Sequence, residues 1–355
     1  MKRLFLFFII LPLSFLSAKA QTDVTPFIPG STLEGVAYFL PRTAVRITVV
    51  AEKTVTKPGD FNKYAERYLR LKHVPQAENT EWKIQSINME AFGKPDPEKA
   101  YSIKIKSKTS APLVGLSKDG ILLSINTEAK EELLPELPKG KVPDALPNPR
   151  NFMTQEILSA GSTSKMAELC AQEIYDMRES RNALIRGEAD NTPKDGAQLS
   201  LMLEQLDKQA NALESLFRGT TQTSTEVFSF IYDPAKEVEG ETLFRFSRKL
   251  GAVDADDLAG DPVYISVKCM ESLPAIQQNE QTTKKKEKLE KGVYYNVPMR
   301  TKLTIYDAKK KFTELELPMG QFGTVEILSN QLFDKKMQTK ATFFQSTGGV
   351  KDIME

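Results

Sequence analysis

Between residues 164 and 217 the apolar side chains recur at helical spacing, and on either side of that stretch they recur at every second residue. That change of period restricts the chain to a mixed architecture in which helices interrupt β-structure. Leu199, Leu203, Leu206, Ala210, Leu213 and Phe217 form a heptad seam, which predicts a helix from about Ala197 to Phe217, stopped by Gly219. Met166, Cys170, Ile174, Met177 and Leu184 mark the seam of a preceding helix, Ser164 to Arg186, with Gly187 placed to close it in a left-handed conformation. The loop from Glu188 to Gly196, with Pro193 inside it, makes the two an antiparallel helical hairpin.

The flanking segments read as strands. Gly35 to Leu40 and Arg42 to Val50 are rich in β-branched residues and predict two strands bent at Pro41. Asp60 to Leu71 is a short amphipathic helix with Asp60 as its N-cap. Trp82, Ile84 and Ile87 suggest a strand, Pro95-Asp96-Pro97-Glu98 a turn, and Tyr101, Ile103 and Ile105 a half-buried strand. Lys118-Asp119-Gly120 is a hairpin signal ahead of Ile121 to Ile125. Beyond the helices, Glu226 to Tyr232, Thr242 to Arg248 and Val263 to Met270 are strands, with one helical turn at Asp254 to Gly260.

An echo links the two ends. Gly292 to Pro298 repeats the plan of Gly35 to Pro41, and with Met299 as an insertion Arg300-Thr301-Lys302-Leu303-Thr304-Ile305 matches Arg42-Thr43-Ala44-Val45-Arg46-Ile47. The fold class expected is therefore α+β: two β-rich modules related by an internal repeat and bridged by a long antiparallel helical hairpin. The segments are 1–20, a signal peptide; 21–130, an N-terminal β-rich module with one short helix; 131–152, a Pro-rich linker; 153–222, the helical hairpin; 223–276, a β-hairpin and strand region; 277–291, a polar Lys-rich connector; and 292–355, a C-terminal β-rich module.

The leading residues bear on location. Lys2 and Arg3 precede an apolar run from Leu4 to Leu16, and Ala18-Lys19-Ala20 fits signal-peptidase cleavage before Gln21. The run is shorter than the ~20 residues that span a bilayer, so an exported, periplasmic or extracellular chain that is not an integral membrane protein is expected. The whole chain has a formal charge of +1; without Lys2, Arg3 and Lys19 it is −2, which gives no reason to expect nucleic-acid binding. An apolar content of 40% is enough for a packed core.

Composition also narrows the chemistry. There is one histidine, His73, in a surface turn after the first helix, whereas most zinc sites and nucleophilic triads need an imidazole placed beside other specific groups. No nucleophile elbow, phosphate loop, dinucleotide fingerprint or paired Cys-x-x-Cys is present. No catalytic residue and no cofactor is assigned. Tyr38, Arg42, Tyr295 and Arg300, the matched polar residues of the echo, are the candidate binding residues, and Trp82 is a further aromatic candidate. Asp254, Asp256, Asp257 and Asp261 read either as a hard-cation site or as a capped turn with Asp254 as N-cap. Cys170 and Cys269 read either as a disulfide, closing a loop of roughly a hundred residues worth about 4–5 kcal/mol in the chain-entropy model, or as two buried thiols.

Several segments together resemble one family: Gly35–Val50, Tyr64–Leu69, Pro95-Asp96-Pro97, Arg186-Gly187-Glu188-Ala189-Asp190-Asn191, Val253–Gly260 and Gln321-Phe322-Gly323. It is a domain-of-unknown-function family, number 4831, of exported proteins from Bacteroides-type bacteria. The resemblance implies a Gram-negative envelope location and carries no activity, ligand or catalytic residue with it. The expected function is a non-catalytic envelope protein that binds or scaffolds an envelope protein or glycan; the alternative is a carboxylate-based hydrolase of polysaccharide or peptidoglycan.

Overall fold

The computed structural model describes residues 23–26, 35–104, 113–271, 292–329, 332 and 339–354. The expected signal peptide, the leader apart from Asp23–Pro26, Ile105 and the Lys-rich connector lie outside the described residues. In chain order the elements are β1 (Asp23–Pro26), β2 (Val36–Lys57), a 3-10 turn (Asn62–Tyr64) that runs into α1 (Ala65–Leu69), β3 (Asn79–Lys104), β4 (Val114–Leu116) and β5 (Leu122–Ile125). Then come α2 (Gln155–Leu158), α3 (Thr163–Arg186), α4 (Gly196–Arg218), β6 (Thr220–Tyr232), β7 (Val238–Ser247), β8 (Gly251–Val253), β9 (Asp261–Cys269), β10 (Gly292–Tyr306), β11 (Lys311–Ser329), β12 (Lys340–Phe343) and β13 (Val350–Met354).

The architecture is α+β and dominated by three antiparallel sheets, ordered β1-β3-β2-β6, β11-β10-β9-β7-β8 and β13-β12-β5-β4. The first two sheets share the main core. Alternate residues Val45, Ile47 and Val49 of β2 meet Ile265 and Val267 of β9, Leu303 and Ile305 of β10, and Phe244 of β7, because the two-residue period of a strand puts all of them on one face. The third sheet closes over the other end of β2 and β10, where Tyr38, Leu40, Ile103, Leu122, Val293 and Phe343 pack together. The pairing runs across the segment limits drawn from the sequence. β6, which follows the helices, adds to β2, and β12 near the end of the chain pairs with β5.

Both long hairpins carry the same irregularity. In β2/β3 the register passes from Phe39 opposite Ala100 to Pro41 opposite Pro95, so Asp96–Lys99 bulge out. In β10/β11 it passes from Val297 opposite Thr324 to Met299 opposite Met319, so Gly320–Gly323 bulge out. Proline is tolerated at both because each strand has a partner on one side only there: β6 first pairs at Val45, and β9 pairs with β10 no further than Thr301. The two strands expected around Pro41 are thus one continuous strand, and the turn expected at Pro95–Glu98 is a bulge inside β3.

The helices form a separate layer. Ser162 and Asp195 cap α3 and α4 by accepting from the N–H groups of Lys165 and Ala197, and Gly187, at φ 70°, ends α3. The two pack side by side, with Arg178 reaching Glu214 at 2.6 Å and Arg181 reaching Asp207 at 2.8 Å. Their apolar seam is most fully covered near the body, where Cys170, Ile174, Leu213 and Phe217 meet Phe61, Ala65 and Leu69. The turn before α1 docks on the end of α4: Phe61 N–H donates to the Leu216 carbonyl at 2.7 Å, and a Cβ on Gly59 would lie 2.2 Å from that same oxygen. This docking starts a 3-10 turn, so Asp60 does not act as an N-cap; Tyr64 precedes α1 without a side-chain cap.

Cys170 and Cys269 are both free, which corrects the disulfide reading. Cys170 is sealed in the helical layer, while Cys269 ends β9 opposite Thr301 in the second sheet. Burial pushes the Cys170 thiol up to about 12. Alkylation with iodoacetamide at pH 8 is therefore expected to leave Cys170 unmodified in the native protein, to modify the half-buried Cys269 slowly, and to modify both once the chain is unfolded; rapid native-state labelling of Cys170 would show that the helical core is open.

Candidate functional site

The echo residues do not form one surface. Tyr38 is fully buried; its hydroxyl accepts from Tyr294 N–H at 3.0 Å, and Tyr101 stacks on Tyr294 at 4.3 Å beside it. Tyr295 is half-buried, bonds Glu326, and borders an apolar groove of 620 Å³ with Pro298, Phe344 and Val350. Arg42 faces Asp233 at 3.4 Å, and Lys94 takes the other oxygen of the same carboxylate at 3.3 Å. Arg300 is exposed and paired with Glu316 at 3.0 Å. Trp82 is buried beneath the Lys53 ammonium.

What gathers beside these residues is a polar junction that sequence reasoning missed. Thr43, fully buried, donates its hydroxyl to Ser346 O at 2.8 Å and accepts from Gly320 N–H at 3.1 Å. The Gln321 amide binds both backbone groups of Thr43 at 2.9 Å, taking the place of the strand partner that β6 supplies only from Val45 onward. Asn296, also fully buried, donates to Pro41 O at 2.9 Å and Thr347 O at 2.8 Å. The signal in the sequence was that Gln321-Phe322-Gly323 and Pro95-Asp96-Pro97 are among the segments that carry the family resemblance, and the structure places Gln321 in the bulge of one hairpin and Asp96 and Pro97 in that of the other.

The four aspartates do not converge either. Asp254, Asp256, Asp257 and Asp261 are exposed, and no group of three or more metal-ligating side chains is found among the described residues. The segment is a turn and not a helix: Asp257 N–H meets Asp254 O, the Asp257 carboxylate accepts from Ala259 N–H, and Arg245 holds the carbonyls of Ala255 and Gly260. The capped-turn reading thus holds in part, through Asp257 and not Asp254.

A concavity of 910 Å³ lies elsewhere, at the base of the helices. One wall is the turn after α1, with Lys72, His73 and Pro75; a second is Leu146–Pro149; a third is the last turns of α4, with Asn211, Ser215 and Arg218. The floor is where β2 and β6 leave the helices, marked by Thr56 opposite Thr221. Arg70 and His73, both at φ 58°, turn the chain sharply enough to bring His73 to the rim. Among the described residues no Asp or Glu lines this cleft. Beside Arg218, at 3.7 Å, is Glu214, which is held by Arg178 at 2.6 Å. Acids gather instead in a smaller groove of 450 Å³ lined by Glu90, Asp119, Glu131 and Glu132, where Arg46 binds Glu90 and Lys351 binds Glu132.

The family model for a domain of unknown function (DUF4831) matches residues 34–351. The chain belongs to this family. No curated protein and no solved structure matches it. The match spans every part of the junction and of the large cleft. Among the described residues no helix is long and apolar enough to cross a membrane.

Tyr38 offers a test of the junction. Burial raises its pKa far above the ordinary tyrosine value, with the Tyr294 backbone bond pulling the other way. A raised native pKa means that stability from this group is complete below the unfolded value of ~10 and is lost as pH rises beyond it, where the unfolded chain alone ionises. Tyr38→Phe is expected to cost about 1–3 kcal/mol at pH 7, because Tyr294 N–H loses its acceptor. It is also expected to flatten the loss of stability between about pH 9 and 11. Denaturant unfolding across that range checks both; an unchanged slope would mean that Tyr38 ionises equally in both states.

Proposed function

We propose that this protein is a non-catalytic binding protein of the cell envelope, exported with cleavage after Ala20, and that the cleft at the base of the helices is its binding surface. One observation carries the reading. This cleft has basic, amide and hydroxyl groups on apolar walls but, among the described residues, no carboxylate, so it lacks the acid–base pair that hydrolysis by carboxylates requires. A few polar groups on mostly apolar walls are instead the usual make-up of a ligand pocket. Polar residues of the long hairpins support the same reading, since Tyr38, Thr43 and Asn296 are engaged in holding the sheets together. A hydrolase would have to work in the acidic groove, where two of the four carboxylates already carry cations.

The scaffold behind the cleft is, on this reading, a duplicated hairpin bridged by an antiparallel helical hairpin. The matching bulges support the duplication, and so does the burial pattern beyond them, with Thr43, Val45 and Ile47 as fully buried as Thr301, Leu303 and Ile305. The helix pairs Arg178–Glu214 and Arg181–Asp207 advance in opposite directions along the chain, as antiparallel packing requires.

A photo-crosslinking side chain at Asn211, in the cleft, and at the highly exposed Leu258, outside it, tests the function in intact cells. A discrete adduct on envelope-fraction protein beginning at Gln21 is expected from position 211 only. Equal labelling at both positions, or a full-length cytosolic protein, would overturn the proposal. So would release of sugar from envelope polysaccharide by the purified protein if Glu131→Gln abolished it.

A further inference from the structure

We propose that the cleft takes a small amphiphilic anion, its charged head among Lys72, His73 and Arg218 and its apolar body along the wall of Leu71, Pro75 and Pro147. This assignment rests on the reading of that cleft as the binding surface. The charge argument is local. The chain has 48 basic and 47 acidic residues, yet every charged or titratable side chain that lines this cavity is basic. The basic groups come from two separate elements, the turn after α1 and the last turn of α4, so their convergence is a product of the fold.

They are also weakly engaged or free of partners among the described residues. Arg218 contacts Glu214 only at 3.7 Å, and that carboxylate already holds Arg178 at 2.6 Å. The side chains of Lys72 and His73 have no ion pair or hydrogen bond among the described residues. The C-terminal end of α4 would disfavour an anion through its carbonyl dipoles, but two of these carbonyls are already matched, Ser215 O by Gly219 N–H and Leu216 O by Phe61 N–H. The walls set the other half of the ligand. They are aliphatic, with no Phe, Tyr or Trp among the lining residues, so a sugar ring finds no aromatic face to stack on, whereas a hydrocarbon body gains by leaving water. A volume of 910 Å³ lies within the range of small-molecule sites.

The test uses two fluorescent probes with closely similar aromatic bodies, anionic 1-anilinonaphthalene-8-sulfonate and neutral N-phenyl-1-naphthylamine, titrated into the native protein. The anionic probe is expected to bind one site at least tenfold more tightly than the neutral one. Arg218→Glu and Lys72→Glu, both at exposed positions, are expected to weaken the anion at least tenfold and leave the neutral probe unchanged. Asn211→Trp, which fills the cleft, is expected to abolish both. Circular dichroism and thermal melting check that each variant is folded. Displacement of the anionic probe by laurate or by a short apolar peptide with a free leucine carboxylate identifies which source of anion fits; displacement by neither overturns the proposal. Equal affinity for the two probes, insensitive to the charge reversals but blocked by Asn211→Trp, overturns the anionic class and leaves the binding surface standing. Binding untouched by Asn211→Trp overturns the binding surface itself.

Discussion

Three sheets meet at Thr43, and the rest of the structure depends on that contact. Its hydroxyl ties a β2 residue to the bulge of β11 and to the loop between β12 and β13. Its backbone, which β6 does not reach, is completed by the Gln321 amide. Asn296 makes a second tie of the same kind, from β10 to Pro41 and Thr347. Buried amides and hydroxyls are costly unless bonded, so these side chains hold only when all three sheets are in register. The Asn296 Oδ1 atom, buried without a partner, is the part of the junction that stays unsatisfied.

The prolines follow from the same geometry. Pro41 and Pro298 remove an N–H from β2 and β10 at the places where no second strand lies alongside. Each hairpin bulges there on its partner strand, and the bulges supply Gln321 to the junction and Asp96 to a turn that accepts from Glu98 N–H. The loss of ladder bonding and the presence of the junction are thus one feature: the backbone groups freed where the sheets narrow are taken up by side chains from elsewhere.

The helical layer is attached at one end. Its seam is fully buried near Phe61 and Phe217, while Leu199, Leu203 and Leu206 remain partly exposed farther out. The large cleft sits at the attached end, between a short turn, a Pro-rich segment and the last turns of α4. Its charge comes from which residues the packing leaves facing inward, since the composition of the whole chain is balanced. The Pro-rich stretch lies along the body, with Lys141 O accepting from Thr225 N–H and the Glu132 N–H bonded to Gln345.

By itself the sequence determined the limits of α3 and α4 to within one or two residues, with Gly187 and Gly219 at their ends, the two-residue period of the strands, and the likeness of the segments around Pro41 and Pro298. All of these are local properties, set by residues within a few positions of one another. Only the tertiary structure decided that β6 joins β2, that β12 joins β5, that Tyr38 is interior while Arg300 is exposed, and that the two cysteines lie in different layers. The same holds for the cleft: Arg218 reads in sequence as an ordinary C-terminal helix cation, and His73 as an isolated turn residue. Partners separated by 255 residues, as Asn296 and Pro41 are, or by 278, as Gln321 and Thr43 are, leave no periodic trace. An amide side chain can serve any free backbone group, and only packing selects which one.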